Sequence, residues 1–458
     1  MFTVVLSVVL LTLPNGFLSC NNRRNDINLV ELLHNKFIND SGIDNLYEYT
    51  NSTWVQSLTG LYNESKVSSC WTEVRRSLNN KDLSVNVDPE VYMNVSELIT
   101  SKEYPCEDHY VTTFDGYILS LQRIPFGNVQ NKTTGGRPVV FLQHGLLGDG
   151  TNWVTNLVNQ SFAFILADAG YDVWIGNLRG TTYSKKHVNL SPKRRQFWKW
   201  SWDEMAKYDV PAMINYALKI SRQSQLYYIG HSQGTTVGFA SFSSNADIAK
   251  KVKLFIAFGP VTTTEHISSP IRIFSDSYLY KPIEDVLKLL NLHEFLPTGE
   301  FFDFLARVCA YEKLGILCES VLFMLEGYDC HRMNTSRIPI YLGHTPAGTS
   351  LQNIVHWMQM IQSGKFQMYN YGLIENLVHY KQIRPPVYDV GAMETPVALY
   401  WGEWDMLADP LDVELLIPKL KNIVVKRKLE RFDHFDFVWA MDAIYVLYND
   451  VIKLMQQY

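Results

Sequence analysis

The 458-residue sequence lacks a hydrophobic run long enough to cross a membrane, and it lacks an excess of basic residues. A transmembrane helix needs roughly 18 or more consecutive apolar residues. Nucleic acid recognition needs a basic surface, whereas the net charge here is −5. We therefore expect no transmembrane anchor and no nucleic acid partner.

Cysteine is also scarce, and none of the six residues lies in a CxxC or other zinc-type spacing. The cysteines are Cys20, Cys70, Cys106, Cys309, Cys318 and Cys330. Cys309 and Cys318 are near enough in sequence to close a short loop in an oxidising compartment. The pairing of the others stays open. We predict no metal site and no organic cofactor.

The first residues predict a secretory signal peptide. Residues 4–13 read VVLSVVLLTL, an apolar run of the length typical of a signal-peptide core, and we place the end of the peptide near residue 20. Eight N-x-S/T sequons agree with passage through the secretory pathway. They begin at Asn39, Asn51, Asn63, Asn94, Asn131, Asn159, Asn189 and Asn334.

The remaining chain divides by pattern into three parts. Residues 21–87 are polar, and we interpret them as an N-terminal extension or pro-segment. Residues 88–261 and 391–458 alternate short apolar strands with helices, which predicts an α/β core with a mostly parallel, doubly wound sheet. The stretch 262–390 is mostly helical in pattern and predicts a cap or lid inserted over that sheet.

Residues 230–234 read GHSQG and fit the pattern G-x-S-x-G. An apolar segment, LYYI, precedes the motif, and TTVGFASF follows it. This strand–turn–helix context is the one in which such a serine acts as a nucleophile, because the glycines let the backbone turn without a side-chain clash. We predict that Ser232 is a nucleophile; the alternative is a glycine-rich structural turn.

A serine hydroxyl needs a base and an acid partner to become nucleophilic. In α/β-hydrolases the order along the chain is serine, acid, histidine. His434 follows the last strand pattern and is the predicted base. Asp405 follows the strand predicted at 397–401 and is the predicted acid, while its neighbours Glu403 and Asp409 are interpreted as ordinary solvated charges.

Two backbone N–H groups should stabilise the oxyanion that forms during attack on an ester. One is predicted from Gln233, the residue after the nucleophile. The other is predicted from Leu146, in the HGLLG loop at 144–148 that follows an early strand. A tight loop with no catalytic part is the alternative interpretation of HGLLG.

Long strings of the sequence resemble the acid lipase family, which includes lysosomal acid lipase and gastric lipase. They lie at 88–97, 141–156, 164–180, 203–211, 230–236, 344–359, 405–413 and 434–443. The resemblance implies an α/β-hydrolase with a helical cap that hydrolyses triacylglycerols or cholesteryl esters in acidic settings. It implies the same roles for Ser232, Asp405, His434, Leu146 and Gln233.

The resemblance also implies a cap disulfide between Cys309 and Cys318, and a secreted or lysosomal destination. The sequence departs from the family at Glu403-Trp404, at Cys106 and Cys330, and in its longer N-terminal extension. We therefore expect a lipase that acts at a lipid–water interface. Two alternatives stay open: a carboxylesterase for short-chain, hormone or xenobiotic esters, and an inactive lipid-binding protein of the same fold.

Overall fold

The apolar segments of the α/β pattern assemble into one central β-sheet in the computed structural model, which describes residues 87–128, 136–275, 293–296 and 332–458. The strands are β1 (Glu107–Thr112), β2 (Tyr117–Ile124), β3 (Val139–Gln143), β4 (Asp172–Gly176), β5 (Lys186–His187), β6 (Leu226–His231), β7 (Val252–Phe258), β8 (Glu294–Phe295), β9 (Thr349–Ser350), β10 (Val397–Gly402) and β11 (Ile423–Leu429). All except β8 and β9, which form a separate antiparallel pair, belong to the central sheet.

The strand order in this sheet is β1-β2-β4-β3-β6-β7-β10-β11, with β5 paired to β2. From β4 through β3, β6, β7 and β10 to β11 the pairs are parallel, and the pairs made by β2 are antiparallel. The prediction of a mostly parallel, doubly wound sheet is confirmed. The order runs outward in both directions from β3, and ligand sites in such sheets form at the carboxyl ends of the strands near this reversal.

Both faces of the sheet are covered because successive side chains of each strand point to opposite sides. Val140 and Leu142 of β3 pack in one hydrophobic cluster with the C-terminal helical segments, whereas Val139 and Phe141 pack in the other. All four side chains are at most 1% exposed. The continuous apolar character of the strands therefore follows from two separate cores.

The helices cover these two faces and connect the strands. They are α1 (Val95–Ser101), α2 (Phe162–Asp168), α3 (Trp202–Glu204), α4 (Val210–Ser221), α5 (Gln233–Ser244), α6 (Ala246–Ala249), α7 (Ile338–His344), α8 (Leu351–Ser363), α9 (Leu373–Tyr380), α10 (Pro410–Leu416), α11 (Asp436–Trp439) and α12 (Asn449–Gln457). None of the helices within the described ranges has the length and apolarity needed to cross a bilayer.

The apolar spacing of the sequence also predicts helices over 230–242, 201–218 and about 438–455, and the structure differs from each in detail. The helix expected from 230 begins at Gln233, because Gly230 and His231 still belong to β6. The helix expected over 201–218 contains a π-helical segment, Met205–Asp209. The closing helix expected over 438–455 is broken, since α11 ends at Trp439 and a second π-helical segment, Ile444–Tyr448, precedes α12.

Several predictions lie outside the described residues: the signal peptide, the extension to residue 86, the Cys309–Cys318 pair, and the sequons at Asn39, Asn51, Asn63 and Asn131. The domain boundaries stay predictions. Cys106 is half-buried and forms no disulfide with any other described residue, and burial raises the pKa of its thiol to about 11. Asn94, Asn159 and Asn189 are exposed and Asn334 is half-exposed.

A buried ion-pair network fixes the loop after β4 to the helical segment before α4. The Arg179 guanidinium is fully buried and donates hydrogen bonds to Asp209 Oδ1 at 2.9 and 2.6 Å. It also donates to both carboxylate oxygens of Asp115, at 2.7 and 3.0 Å, and lies 4.0 Å from the ring centroid of Tyr117. Two of the strings that carry the family resemblance therefore meet at this arginine.

We expect Arg179→Met to lower the free energy of unfolding by about 3–5 kcal/mol, because it removes the cationic partner of the buried Asp209 carboxylate and of Asp115. The matched control is Arg427→Met, which removes the partly exposed ion pair with Asp450 and should change stability by at most about 1 kcal/mol. Urea unfolding of both variants at the same pH measures the difference. Equal shifts would contradict a special contribution from Arg179.

Candidate active site

Ser232 occupies a sharp turn between β6 and α5. Its backbone has φ +55° and ψ −121°, a conformation that costs a residue with a side chain about 1–3 kcal/mol. The Ser232 N–H donates to the carbonyl oxygen of Phe258 at 3.0 Å, which ties the turn to the end of β7. The residue is half-buried and lies at the carboxyl end of the sheet.

The two glycines of the motif are required by close backbone approach. A Cβ on Gly230 would lie 2.6 Å from the carbonyl carbon and oxygen of Gly234. A Cβ on Gly234 would lie 2.4 Å from the carbonyl oxygen of Gln143, at the end of β3. The sheet and the first turn of α5 therefore hold the strained serine between them.

Asp405 and His434 form a buried pair at the ends of β10 and β11. The His434 Nδ1 atom lies 3.0 and 2.9 Å from the two carboxylate oxygens of Asp405. The carboxylate can only accept here, so Nδ1 carries the proton and Nε2 keeps its lone pair. Asp405 Oδ1 also accepts from the backbone N–H groups of Leu407 and Ala408, which fixes the carboxylate.

The neighbouring acids lie apart from this pair. Glu403 is exposed and accepts from the Arg431 N–H at 3.1 Å. Asp409 caps α10 by accepting from the Leu411 N–H. Of the three acidic residues considered from the sequence, only Asp405 contacts His434.

A hydrogen bond holds the His434 loop against His231, the residue that precedes the serine. His231 Nε2 donates to the His434 carbonyl oxygen at 2.8 Å, and the two imidazole rings lie 4.8 Å apart. Among the described residues, no hydrogen bond joins the Ser232 hydroxyl to His434 itself. Catalytic hydrogen bonds of free enzymes are often long and tighten when substrate binds.

The HGLLG loop lies directly against the serine. A Cβ on Gly145 would lie 2.8 Å from Ser232 Cβ and 3.3 Å from its hydroxyl oxygen. His144 holds this loop, because its Nδ1 donates to the Gly145 carbonyl and its Nε2 accepts from the Leu178 N–H. Leu146 follows in the loop.

Gln233 is the first residue of α5, where a backbone N–H has no acceptor within the helix. The two N–H groups predicted to bind an oxyanion, those of Leu146 and Gln233, thus belong to segments on either side of Ser232.

Comparisons with known proteins agree with this geometry. A family model described as a partial alpha/beta-hydrolase lipase region matches residues 95–157, and one for the alpha/beta hydrolase fold matches residues 138–312. Human gastric triacylglycerol lipase is 49% identical over 373 residues, covering 81% of this chain and 92% of that protein. Human lysosomal acid lipase/cholesteryl ester hydrolase is 46% identical over 374 residues, or 81% and 93% of the two chains.

The chain belongs to the acid lipase family. Human lipase member K, at 43% identity over 85% of this chain and 98% of that protein, is a further relative. The protein is therefore an α/β-hydrolase that hydrolyses carboxylic esters.

Sequence reasoning missed two residues that shape the site of this lipase. The motif leaves the residue before the serine unspecified, yet His231 tethers the His434 loop. Burial and the neighbouring His434 lower the pKa of His231 well below its usual value, which favours the neutral form of this imidazole. Gly259 leaves room for the pair formed by Asp405 and His434, since a Cβ there would lie 3.3 Å from Asp405 Oδ2.

A second titratable cluster lies where the segment before α4 contacts residues of the stretch 262–390. Asp203 accepts from the Tyr388 hydroxyl and the Tyr369 N–H, and burial raises its pKa to about 7. Burial and the charge of Asp203 raise the pKa of Glu204 to about 7 as well. His356 stacks on Trp202, and burial lowers its pKa to about 3. The described residues contain no group of three such side chains that could hold a metal ion.

We expect Asp203→Asn to change how the stability of the lipase depends on pH. The folded pKa of Asp203 lies above the unfolded value near 4, so the folded state binds an extra proton between about pH 4 and 7. Wild-type enzyme should gain stability relative to the variant as the pH falls from 8 to 5. Urea unfolding at both pH values measures this.

The control for that experiment is Asp247→Asn, which removes an exposed carboxylate on α6. A stability difference between wild-type enzyme and Asp203→Asn that stayed constant from pH 8 to pH 5 would show that Asp203 does not titrate in this range.

Proposed function

We propose that this lipase hydrolyses the ester bonds of neutral lipids, triacylglycerols and cholesteryl esters, through an acyl-enzyme intermediate on Ser232. The observation that carries the proposal is the convergence of three strand ends. Ser232 follows β6, Asp405 follows β10 and His434 follows β11. Parallel neighbouring strands present their carboxyl ends at one edge of the sheet. This edge therefore brings together Ser232 and His434, which are separated by about 200 positions in the sequence.

In the first step the Ser232 hydroxyl attacks the ester carbonyl, and His434 Nε2 accepts its proton. The bond from the carbonyl carbon to the alcohol oxygen then breaks, and His434 returns the proton to the leaving alcohol. Water repeats the sequence on the acyl-enzyme and releases the fatty acid. Asp405 holds the imidazole in the required tautomer and stabilises the imidazolium that forms.

The N–H groups of Leu146 and Gln233 bind the negative oxygen of each tetrahedral intermediate. Donors fixed in advance act on charge as it develops, and removal of one such donor costs about 3–4 kcal/mol of transition-state stabilisation in other hydrolases. The close approach of Gly145 to Ser232 supports this role for the loop.

The names of the relatives support the substrate class. One relative is called a triacylglycerol lipase and another a cholesteryl ester hydrolase. The stretch 262–390 acts as the cap that covers the acyl chains, and α7, α8 and α9 are its described helices. Interfacial lipid is therefore the partner of this enzyme.

The enzyme acts in the secretory pathway or the lysosome. The apolar run at 4–13 and the exposed sequons at Asn94, Asn159 and Asn189 support a signal peptide and glycosylation. The name of one relative states a lysosomal setting. The Cys309–Cys318 disulfide of the cap belongs to the same proposal.

We expect Asp405→Asn to lower kcat by about 10⁴-fold, because an amide favours the wrong imidazole tautomer, and Ser232→Ala to abolish acyl-enzyme formation. Glu403→Gln, two residues away and without contact to His434, is the matched control and should retain activity. Hydrolysis rates and covalent labelling by an organophosphonate measure both steps. Unchanged turnover in Ser232→Ala would exclude this mechanism.

A comparison of three substrates tests the lipid class. We expect a triacylglycerol emulsion and a cholesteryl ester dispersion to be hydrolysed with higher kcat/KM than a short-chain ester, since the apolar cap favours long acyl chains. Preference for the soluble short-chain ester would instead identify a carboxylesterase. If the organophosphonate labelled the protein but none of the three substrates was hydrolysed, the result would favour a lipid-binding protein.

A further inference from the structure

The side chain of Gln233 is buried, at 2% exposure, although the motif specifies no side chain at this position. Its amide oxygen accepts two hydrogen bonds, from Asn353 Nδ2 at 2.8 Å and from Trp357 Nε1 at 2.8 Å. Its amide nitrogen faces the Met205 sulfur at 3.6 Å. A flipped amide would point N–H groups at two donors, so this orientation is unique.

The two donors lie on one face of α8 because they are four residues apart. The start of this helix is fixed to the core: Ser350 caps it by accepting from the Asn353 N–H, and donates its own hydroxyl to the Trp200 carbonyl at 2.5 Å. Asn353 is fully buried and also donates to the Thr349 hydroxyl at 3.1 Å. The donors are therefore rigidly placed.

A rigid hold on Gln233 matters because of where this residue lies. It directly follows Ser232, whose φ is +55°, so a displacement of Gln233 acts on the same strained turn that presents the nucleophile. The backbone N–H of Gln233 has to point at the oxyanion, and a displacement of about 1 Å in such groups costs up to a hundredfold in rate. A side chain held by two hydrogen bonds restrains that N–H.

We propose that Asn353 and Trp357 are positioning residues for the oxyanion hole, acting through the side-chain amide of Gln233. The inference rests on the proposed function of Ser232 and Gln233 and extends it to a cap helix. It also gives a role to the string at 344–359, which the triad does not use. Neither side chain needs to touch the substrate.

Trp357→Phe keeps an aromatic ring and removes one donor, so we expect kcat to fall about tenfold. That is less than the roughly 10²–10³-fold loss seen when an oxyanion donor is removed outright. KM should stay within about twofold, because the lost interaction acts on the transition state. Affinity for a phenylboronic acid, whose serine adduct places an oxygen in the oxyanion hole, should fall in parallel.

A double-mutant cycle separates positioning from packing. Gln233→Met removes the amide at similar length, so Trp357→Phe should cause no further loss of kcat in that background. Asn353→Ala is the second variant and should behave in the same way. The matched control is Trp174→Phe, whose indole N–H has no acceptor among the described residues; it should leave kcat and boronate affinity unchanged.

The inference would be overturned if Trp357→Phe and Asn353→Ala both kept the kcat and the boronate affinity of the wild-type enzyme. Equal losses with and without the Gln233→Met change would do the same, because the effect would then not pass through the amide. A Ser232→Ala enzyme that kept its activity would refute the proposed function instead. Thermal unfolding of each variant confirms that the compared proteins are folded.

Discussion

Close backbone approach at the end of β3 is the constraint on which the rest of the site depends. The Gln143 carbonyl lies where a side chain on Gly234 would have to go, so glycine is needed for the first turn of α5 to pack this closely against the end of β3. The strained φ of Ser232 persists because strands on both sides of β6 are paired in parallel and buried. The reactive hydroxyl is thus presented by the sheet rather than by a flexible loop.

Several buried carboxylates have hydrogen-bonded partners in segments that are distant in sequence. Asp405 and His434 link two strand ends, and Arg337 binds Glu90 and the Thr155 carbonyl, joining the start of the described chain to the stretch 262–390. Removing one partner of a buried ion pair lowers the free energy of unfolding by more than the intact pair contributes to it. Buried charge therefore fixes which arrangement of segments is adopted.

The sequence predicts the parallel sheet well, because apolar strands are local patterns. G-x-S-x-G is a local pattern as well, and the triad positions drawn from it stay a prediction. Asp405 was separable from Glu403 and Asp409 by its place after β10, and its contact with His434 agrees. The break after Trp439 and the contact between Gln233 and Asn353 were not predictable, since both depend on packing between residues far apart in sequence. Tertiary contact overrides local propensity at such positions.

The Arg179 network has an evolutionary consequence. Its guanidinium donates hydrogen bonds to two carboxylates that come from different segments, at positions 115 and 209. If the arginine were substituted first, both carboxylates would lose their cationic partner. If either acid were substituted first, the arginine would keep one carboxylate partner. Substitutions should therefore occur in a preferred order, with an acid replaced before the arginine. The residues at these three positions should covary among homologous sequences.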